Sequence, residues 1–381
     1  MTDFVKHVQF LYFDAGGGHR AAATALKSLI DREGKSCEIT LVNVQELLAP
    51  LDVFRKVTGI PLEDIYNKML AKGWTLGSAT GLKFMHGVIR FNHSVTVKLL
   101  TKHFVDTRPD LVVSLIPNFN RAISESVFAA NAATPIITVI TDFADYPPHF
   151  WIERFDPHVP ERYIVCGTER AASQARELGY DEAHVFRTSG MIIRPMFYEV
   201  VEIDRKKERE KLGLHPTKPT GVVLFGGQGS KVMLDIARNL SGTQLILICG
   251  KNAALADRLL GQKTDGRRHV EGFTQQIPYF MQLADFFIGK PGPGSISEAI
   301  AMKLPVIVES NAWTLPQERY NAEWVREKGV GVVLPNFRNI RAAAEAMVGS
   351  LEKYRAEVSK IENRAVFEIV EILDRFLKRV N

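Results

Sequence analysis

The stretch VQFLYFDAGGGHRAAATALKSLI, residues 8–30, joins an apolar run to an alanine-rich helical pattern through three consecutive glycines. Short runs that are apolar on both faces are typical of strands buried in a parallel sheet. A helical pattern directly after such a strand indicates a crossover helix that covers the sheet. Residues 8–30 therefore predict a strand, a glycine turn and a helix of a doubly wound α/β domain, with His19 in the turn.

The same alternation continues along the chain, and it occurs in two sets. Further apolar runs are EITLVNV, LVVSLIPN, PIITVITD, RYIVCG, GVVLFGG, QLILICG, DFFIGKPG and PVIVES, with helix-length segments between most of them. A charged, proline-containing stretch around residues 195–218 separates the two sets. We predict two Rossmann-like doubly wound domains, residues 1–200 and 201–381, with the last helix packing back on the first domain.

Composition excludes several classes of protein. The 381 residues are 46% hydrophobic and 24% charged, with a net charge of +5, and no run approaches the ~18 apolar residues of a membrane span. Cys37, Cys166 and Cys249 lie far apart without C-x-x-C spacing, which predicts neither disulfides nor a zinc site. With no secretory signal at the N-terminus, we expect a reducing, cytoplasmic setting. The basic charge favours anionic partners, but no nucleic-acid-binding module is recognisable.

Residues 51–105 interrupt the alternation. This helical stretch carries eight Lys or Arg against three Asp or Glu, and apolar side chains such as Trp74, Phe84 and Phe91 lie among them. Basic residues such as Arg90 beside aromatic ones suit an anionic membrane surface. The alternative is an amphipathic helical pair that packs on its own domain.

Three strand-to-helix turns are rich in glycine. They are DAGGGHR at 14–20, FGGQGSK at 225–231 and GKPGPGSISEA at 289–299. None matches the dinucleotide fingerprint G-x-G-x-x-G or the P-loop pattern, which argues against a nicotinamide enzyme and a P-loop NTPase. The third turn is the most informative, because Gly292, Gly294 and Ser295 offer backbone N–H groups to a diphosphate at a helix N-terminus.

Two acidic residues near the third turn have alternative interpretations. Glu298 follows by one helical turn and could bind a ribose diol, or it could form a capping box with Ser295. Gln317 and Glu318 follow the strand LPVIVES, at the sheet edge where doubly wound folds bind ligands, and could bind sugar hydroxyls. The alternative for that pair is a solvated loop.

Taken together, these motifs resemble the family 28 glycosyltransferases of GT-B fold, and within them the monogalactosyldiacylglycerol synthases and their bacterial glycolipid-forming relatives. A more distant likeness is to the transferase that adds N-acetylglucosamine to the peptidoglycan lipid intermediate. The resemblance covers nearly the full length. It is carried, in order, by DAGGGHRAAATAL, PDLVVSLIPN, TVITDF, SGMIIRPMF, FGGQGS, LICGKNAAL, VEGFTQQIPYFMQLAD, KPGPGSISEAIAMKLPVIV and PQERYN.

The resemblance implies two Rossmann-like domains that face a central cleft, with a UDP-sugar on the C-terminal domain and the acceptor on the N-terminal domain. Gly292, Gly294 and Ser295 would hold the diphosphate, Glu298 the ribose, and Gln317 with Glu318 the sugar hydroxyls. Gly227 and Gln228 would lie near the phosphates, the backbone near Phe273 would meet the uracil, and Gly17 with Gly18 would approach the leaving end of the donor.

The resemblance also implies an inverting reaction, which needs a base beside the acceptor hydroxyl. His19 is the first candidate, because its ordinary pKa lies near neutrality, and Asp14 is the second. Lys290 or Arg194 would meet the charge of the leaving group, without a metal or any other cofactor. The acceptor and membrane side would include Trp74, Phe84, Arg90, Asp142 and Trp151.

The sequence departs from the plant synthases on the acceptor side. Ile116-Pro117 stands where they carry His-Pro, and Pro147 stands where they carry a histidine. These differences concern the acceptor and not the transfer of the sugar. From the resemblance as a whole we expect a UDP-hexose:lipid transferase, with diacylglycerol as the acceptor, held peripherally at the inner face of the cell membrane. The alternatives are an N-acetylglucosamine transferase acting on a polyprenyl-linked acceptor, a nucleotide-sugar epimerase and a sugar-nucleotide sensor that has lost catalysis.

Overall fold

The computed structural model describes residues 5–14, 17–51, 86–199 and 201–379. The chain divides into two compact units. The first contains the described residues up to Arg194 together with residues 364–379 at the end of the chain. The second contains the described residues from Pro195 to Asn363.

The first unit is a parallel sheet with helices. Its strands are β1 (Lys6–Tyr12), β2 (Cys37–Asn43), β3 (Leu111–Ser114), β4 (Ile136–Val139), β5 (Arg162–Cys166) and β6 (Val185–Arg187). The helices between them are α1 (Gly18–Arg32), α2 (Val44–Leu47), α3 (His93–Thr107), α4 (Asn120–Ala130) and α5 (Glu169–Glu177). Within the described residues the strand order is β2-β1-β3-β4-β5-β6, so β1 and β3 are neighbours at the point where the order reverses.

The second unit repeats this architecture. Its strands are β7 (Thr220–Leu224), β8 (Gln244–Ile248), β9 (Arg268–Glu271), β10 (Phe286–Gly289), β11 (Val306–Glu309) and β12 (Gly331–Leu334). Its helices are α6 (Arg205–Lys211), α7 (Val232–Asn239), α8 (Ala253–Leu260), α9 (Ile277–Gln282), α10 (Pro293–Ala301), α11 (Arg319–Lys328), α12 (Ile340–Gly349) and α13 (Leu351–Ser359). The described strands are parallel in the order β12-β11-β10-β7-β8-β9, with the reversal between β7 and β10.

The packing explains why the apolar runs form strands and the segments with a helical period of apolar residues form helices. Every residue of β7 and β8 is buried, as expected for central strands covered on both faces. The last helix, α14 (Ala365–Arg379), belongs to the first unit and buries one stripe of side chains, among them Val366, Ile369, Leu373 and Phe376. The predicted fold class, doubly wound α/β occurring twice, is confirmed.

A buried ionic cluster stabilises the second unit at the start of β10. The carboxylate of Asp285 accepts hydrogen bonds from Arg209 at 2.8 Å, Arg205 at 3.0 Å, Arg355 at 2.8 Å and the backbone N–H of Thr220 at 2.9 Å. Burial by itself raises the pKa of the Asp285 carboxyl, but the guanidinium groups of Arg209 and Arg205 outweigh it and hold this pKa below its ordinary value of 3.8. The cluster therefore ties α6 and α13 to the sheet with an ionised carboxylate.

We expect Asp285→Asn to lower the free energy of unfolding by about 3 kcal/mol, because it leaves buried guanidinium charge without its partner. Denaturant unfolding would measure this difference. The matched control is Asp235→Asn, which removes an exposed ion pair with Arg238 and should change stability by less than about 0.5 kcal/mol. Because folding lowers the pKa of Asp285, its stabilisation is complete above pH 3.8 and is lost as the pH falls below it. A loss no larger than that of the control would contradict this role.

Candidate active site

The glycine turns of the second unit meet at one edge of its sheet. β7 and β10 are adjacent parallel strands, so residues 225–231 and 290–292, which follow them, leave the same edge side by side. This is the point at which the strand order reverses, and doubly wound folds bind ligands in the crevice there. The candidate donor residues of both turns are therefore brought to one place within the second unit.

The turn after β10 leads directly into an uncapped helix. α10 begins at Pro293, and its N-cap is Gly292, which has no side chain and so makes no side-chain cap hydrogen bond. A capping box needs the hydroxyl residue at the N-cap and the acidic residue three positions later. Ser295 lies instead in the third helical position, so the capping-box alternative for Ser295 and Glu298 is wrong. The first N–H groups of α10 face the site with the positive end of the helix dipole.

The two glycines of this turn leave room above the helix. A Cβ on Gly294 would meet no described atom within 4 Å, and the residue is exposed. A Cβ on Gly292 would lie 3.4 Å from Cε of Lys290 and 3.7 Å from Oε1 of Glu318. The space over Gly294 suits a ligand that approaches the backbone closely, while Gly292 lies under two charged side chains.

Residues 290–292 and 317–321 are joined to each other. Nζ of Lys290 lies 2.8 Å from Oε1 of Glu318, and the side-chain amide of Asn321 donates to the Pro291 carbonyl at 2.9 Å. Glu318 is only 8% exposed, so the solvated-loop alternative does not describe it. Gln317 and Glu298 are both half-buried. The lysine and the acidic residue that sequence patterns singled out separately thus form one cluster.

The turn after β7 carries Gly227 and Gln228 on an exposed surface. The Gly227 carbonyl accepts from the backbone N–H of Lys251 at 2.8 Å, and Gly250 packs against Gly227 with a φ of +60°, which favours glycine. Phe273, after β9, is 60% exposed, and Nζ of Lys251 lies 5.5 Å from the centroid of its ring. Lys251 was missed by the sequence analysis, although its position directly after the strand LICG could have indicated it.

His19 lies in the first unit at the edge of the sheet where the strand order reverses, as the glycine turns do in the second unit. It lies in the first turn of α1, after Gly17 with a φ of 78°, at the reversal between β1 and β3. Its Nδ1 is 3.4 Å from Oγ1 of Thr141, and its ring lies 5.7 Å from the ring of Trp151 between centroids. An edge contact with Phe13 at 6.3 Å completes a largely apolar surrounding.

This surrounding changes the acid strength of His19. Burial lowers the pKa of its imidazole from the ordinary 6.5 to about 4, although a hydrogen bond with the Leu115 backbone acts in the opposite direction. His19 was selected for its ordinary pKa near neutrality, and its pKa in the folded protein lies below that value. With this pKa the imidazole is neutral at pH 7 and carries one unprotonated ring nitrogen, the form that a general base requires.

If His19 acts as a base, the pH profile of kcat/KM should show no descending limb near pH 6.5. Activity should fall only as the pH approaches about 4, because protonation of the imidazole removes the acceptor lone pair and occurs there. Initial rates from about pH 3.5 to about pH 8.5, at constant ionic strength, would measure this. A half-maximal rate near pH 6.5 that disappears in His19→Gln would contradict the low pKa.

The other candidates of the first unit have structural contacts. Both carboxylate oxygens of Asp14 accept from Nη1 of Arg20, at 3.1 and 3.0 Å. The indole N–H of Trp151 donates to the carboxylate of Asp142 at 2.8 Å, and Trp151 is only 1% exposed. Trp151 was predicted to lie on the acceptor and membrane side. A contact of Trp151 with the membrane is excluded, because its ring is buried. Its position beside His19 makes it a wall of that site instead.

Arg90 and its neighbours remain exposed. Residues 86–91 are helical, and Arg90 lies there between Val88 at 45% and Phe91 at 90% exposure. Trp74 and Phe84 lie outside the described residues. Arg194 is half-buried at the end of the first unit. No helix in the part of the chain that the structure describes is long and apolar enough to span a membrane. Nor do the described His, Cys, Asp and Glu residues form a group of three that could hold a metal ion.

Comparison with known proteins agrees with this architecture. Residues 222–364 match the model of the glycosyltransferase family 28 C-terminal domain. The chain is 27% identical over 400 residues to the probable monogalactosyldiacylglycerol synthase 2 of Oryza sativa subsp. japonica, covering 97% of this chain and 80% of the relative. It is 27% identical over 397 residues to monogalactosyldiacylglycerol synthase 3 of Arabidopsis thaliana, covering 96% and 80%. Both relatives are named as chloroplastic proteins.

Solved structures show the same fold. Acinetobacter baumannii MurG superimposes with a TM-score of 0.60 at 11% identity, covering 97% of this chain and 99% of MurG. A UDP co-structure of S. aureus MnaA gives 0.58 at 16% identity, covering 98% and 97%. Anabaena HepE in complex with UDP and glucose gives 0.53 at 14% identity, covering 98% and 100%. The protein is a glycosyltransferase of GT-B fold with a family 28 C-terminal domain.

Proposed function

We propose that this glycosyltransferase moves a hexose, galactose or glucose, from a UDP-sugar to the hydroxyl of diacylglycerol, with inversion at the anomeric carbon. The observation that carries the proposal is the uncapped N-terminus of α10, which lies at the β7–β10 reversal inside the family 28 domain. A dipole that is positive at this end, with glycine backbone and Lys290 beside it, is suited to a diphosphate. The similarity to monogalactosyldiacylglycerol synthases over nearly the whole chain supports the lipid acceptor.

On this proposal the second unit binds the donor. The N–H groups of Gly292, Gly294 and Ser295 hold the diphosphate, and Glu298, one turn along α10, accepts hydrogen bonds from the ribose hydroxyls. Gln317 and Glu318 meet the hexose hydroxyls. Gly227 and Gln228 border the phosphates on the β7 side, while the backbone near Phe273 meets the uracil.

On this proposal the first unit binds the acceptor and supplies the base. The acceptor oxygen forms a bond to the anomeric carbon while the bond from that carbon to the β-phosphate oxygen breaks, and the electron pair leaves with UDP. The hydroxyl becomes more acidic as its new bond forms, so a neutral imidazole of low pKa can take the proton late in the step. We assign that proton to His19. Lys290 and the N-terminus of α10 offset the charge that develops on UDP, without a resident metal or cofactor.

A lipid acceptor requires the protein to work at a membrane surface. Exposed Phe91 and Val88 beside Arg90 combine apolar area with positive charge, which suits an interface that contains anionic lipids. We place the protein peripherally at the inner face of the cell membrane.

Transfer by the purified protein tests this function. Radiolabelled UDP-galactose, UDP-glucose and UDP-N-acetylglucosamine would each be incubated with vesicles that contain diacylglycerol or polyprenyl phosphate, and the chloroform-soluble label would be counted. We expect label from a UDP-hexose only where diacylglycerol is present. Label found on polyprenyl phosphate alone would contradict diacylglycerol as the acceptor. Free epimerised nucleotide sugar without a lipid product would contradict the proposed transfer reaction.

A further inference from the structure

The carboxylate of Glu318, proposed above to meet hexose hydroxyls, is paired with Lys290. This carboxylate, with only 10% of the side chain exposed, lies 2.8 Å from the ammonium of Lys290, which is 40% exposed. The two residues are 28 positions apart, one after β10 and the other in the short 3-10 turn Pro316–Glu318. Asn321, fully buried in the first turn of α11 directly after this 3-10 turn, donates to the Pro291 carbonyl at 2.9 Å. A side-chain contact and a backbone contact thus join the segment after β10 to the segment that carries Glu318.

The pair lies directly over the start of α10. An added Cβ on the N-cap residue Gly292 would approach Cε of Lys290 within 3.4 Å and Oε1 of Glu318 within 3.7 Å. A buried carboxylate at that position would repel a diphosphate that approaches the helix N-terminus, unless a cation neutralised it. Lys290 supplies that cation, because its ammonium lies 2.8 Å from the Glu318 carboxylate.

Resting on the proposed function, we infer that Glu318 is a positioning residue that acts on the diphosphate of the donor through Lys290. Its carboxylate holds the ammonium over the N-terminus of α10. A lysine on a flexible four-carbon stem otherwise loses rotamer freedom when it binds a phosphate, and the contact with Glu318 removes part of that cost in advance. In return, Lys290 cancels the charge of Glu318 at the phosphate site.

This coupling is distinct from a contact with hexose hydroxyls, because it must affect the binding of UDP, which carries no hexose. Titration calorimetry with UDP would compare wild-type protein with Lys290→Met, Glu318→Gln, the double variant and Lys290→Arg. Lys290→Met should bind UDP about tenfold more weakly or worse, because it loses an ionic contact and leaves the Glu318 charge unpaired. Glu318→Gln keeps an acceptor without the charge and should stay within about threefold of wild type.

The decisive comparison is the double variant, which should bind UDP at least about threefold more tightly than Lys290→Met, because the unpaired charge is gone. Lys290→Arg keeps the pair and should retain most of the affinity. Thermal unfolding of each variant shows whether a loss of affinity comes from a loss of folded protein. A double variant that binds UDP no better than Lys290→Met overturns the inference, but it does not affect the proposal that the donor is a UDP-sugar. Wild-type protein that binds no UDP overturns the proposed donor and the inference together.

Discussion

Replacing His19 by glutamine is expected to lower kcat about a thousandfold, within the range by which a positioned general base accelerates proton transfer. The side-chain amide of glutamine can keep a polar contact with the Leu115 backbone, but it cannot take a proton. UDP affinity should stay within about twofold of wild type, because His19 is assigned to the acceptor and not to the donor. Steady-state kinetics with diacylglycerol vesicles and calorimetry with UDP would measure the two effects.

His158→Gln is the matched control, because His158 is exposed and lies outside the proposed site. It should leave kcat unchanged. Thermal unfolding of His19→Gln checks that the protein stays folded without the ring contacts of His19 with Trp151 and Phe13. A folded His19→Gln protein with wild-type turnover would show that another group is the base, with Asp14 the next candidate. Wild-type protein that binds UDP but turns over no donor would instead favour a sensor.

Replacing Glu298 by alanine is expected to weaken UDP binding by about ten- to a hundredfold, the effect of losing hydrogen bonds from two ribose hydroxyls to a carboxylate. Because α10 begins at Pro293, Glu298 lies beyond its first turn and is no capping partner of Ser295. The replacement therefore removes no helix cap, and the loss of UDP affinity should exceed any loss of thermal stability. Calorimetry with UDP and thermal unfolding, performed on the same preparations, would separate the two effects.

The ribose assignment has a sharper test in the ligand. Wild-type protein should prefer UDP to 2′-deoxy-UDP, whereas Glu298→Ala should bind the two with similar affinity, since the group that reads the 2′-hydroxyl is missing. Glu323→Ala, an exposed position on α11, is the control and should keep the preference. If Glu298→Ala keeps the preference for UDP and mainly lowers the melting temperature, Glu298 has a structural role.

The sequence predicted what depends on local pattern. Apolar runs such as QLILI and the helical segments between them were sufficient to predict both sheets, because burial on both faces leaves a continuous apolar signal. The comparison of three glycine turns also selected residues 289–299, where the structure has the uncapped N-terminus of α10.

What the sequence could not predict depends on contacts between distant segments. The pKa of His19 is lowered by surroundings that include Trp151, which follows it by more than a hundred residues. The burial of Trp151 depends on how the segment after β4 folds back, and aromatic residues occur equally at surfaces and in cores. The pairing of Lys290 with Glu318 required two loops to meet. The capping-box alternative is wrong because α10 begins earlier than that alternative requires, with Gly292 and not Ser295 at the N-cap. The exact start of a helix is the feature that a sequence pattern defines least well.

The lipids of living cells test the central claim most directly. The chain and its His19→Gln variant would be expressed in a host that makes no hexosyl diacylglycerol of its own, with equal amounts of folded protein confirmed by immunoblot of the soluble and membrane fractions. Mass spectrometry of the lipid extract should then detect diacylglycerol species heavier by one hexose only with the wild-type chain. Lipid profiles that are identical for wild type, variant and empty host, while the wild-type protein binds UDP, would contradict the assignment of diacylglycerol as the acceptor.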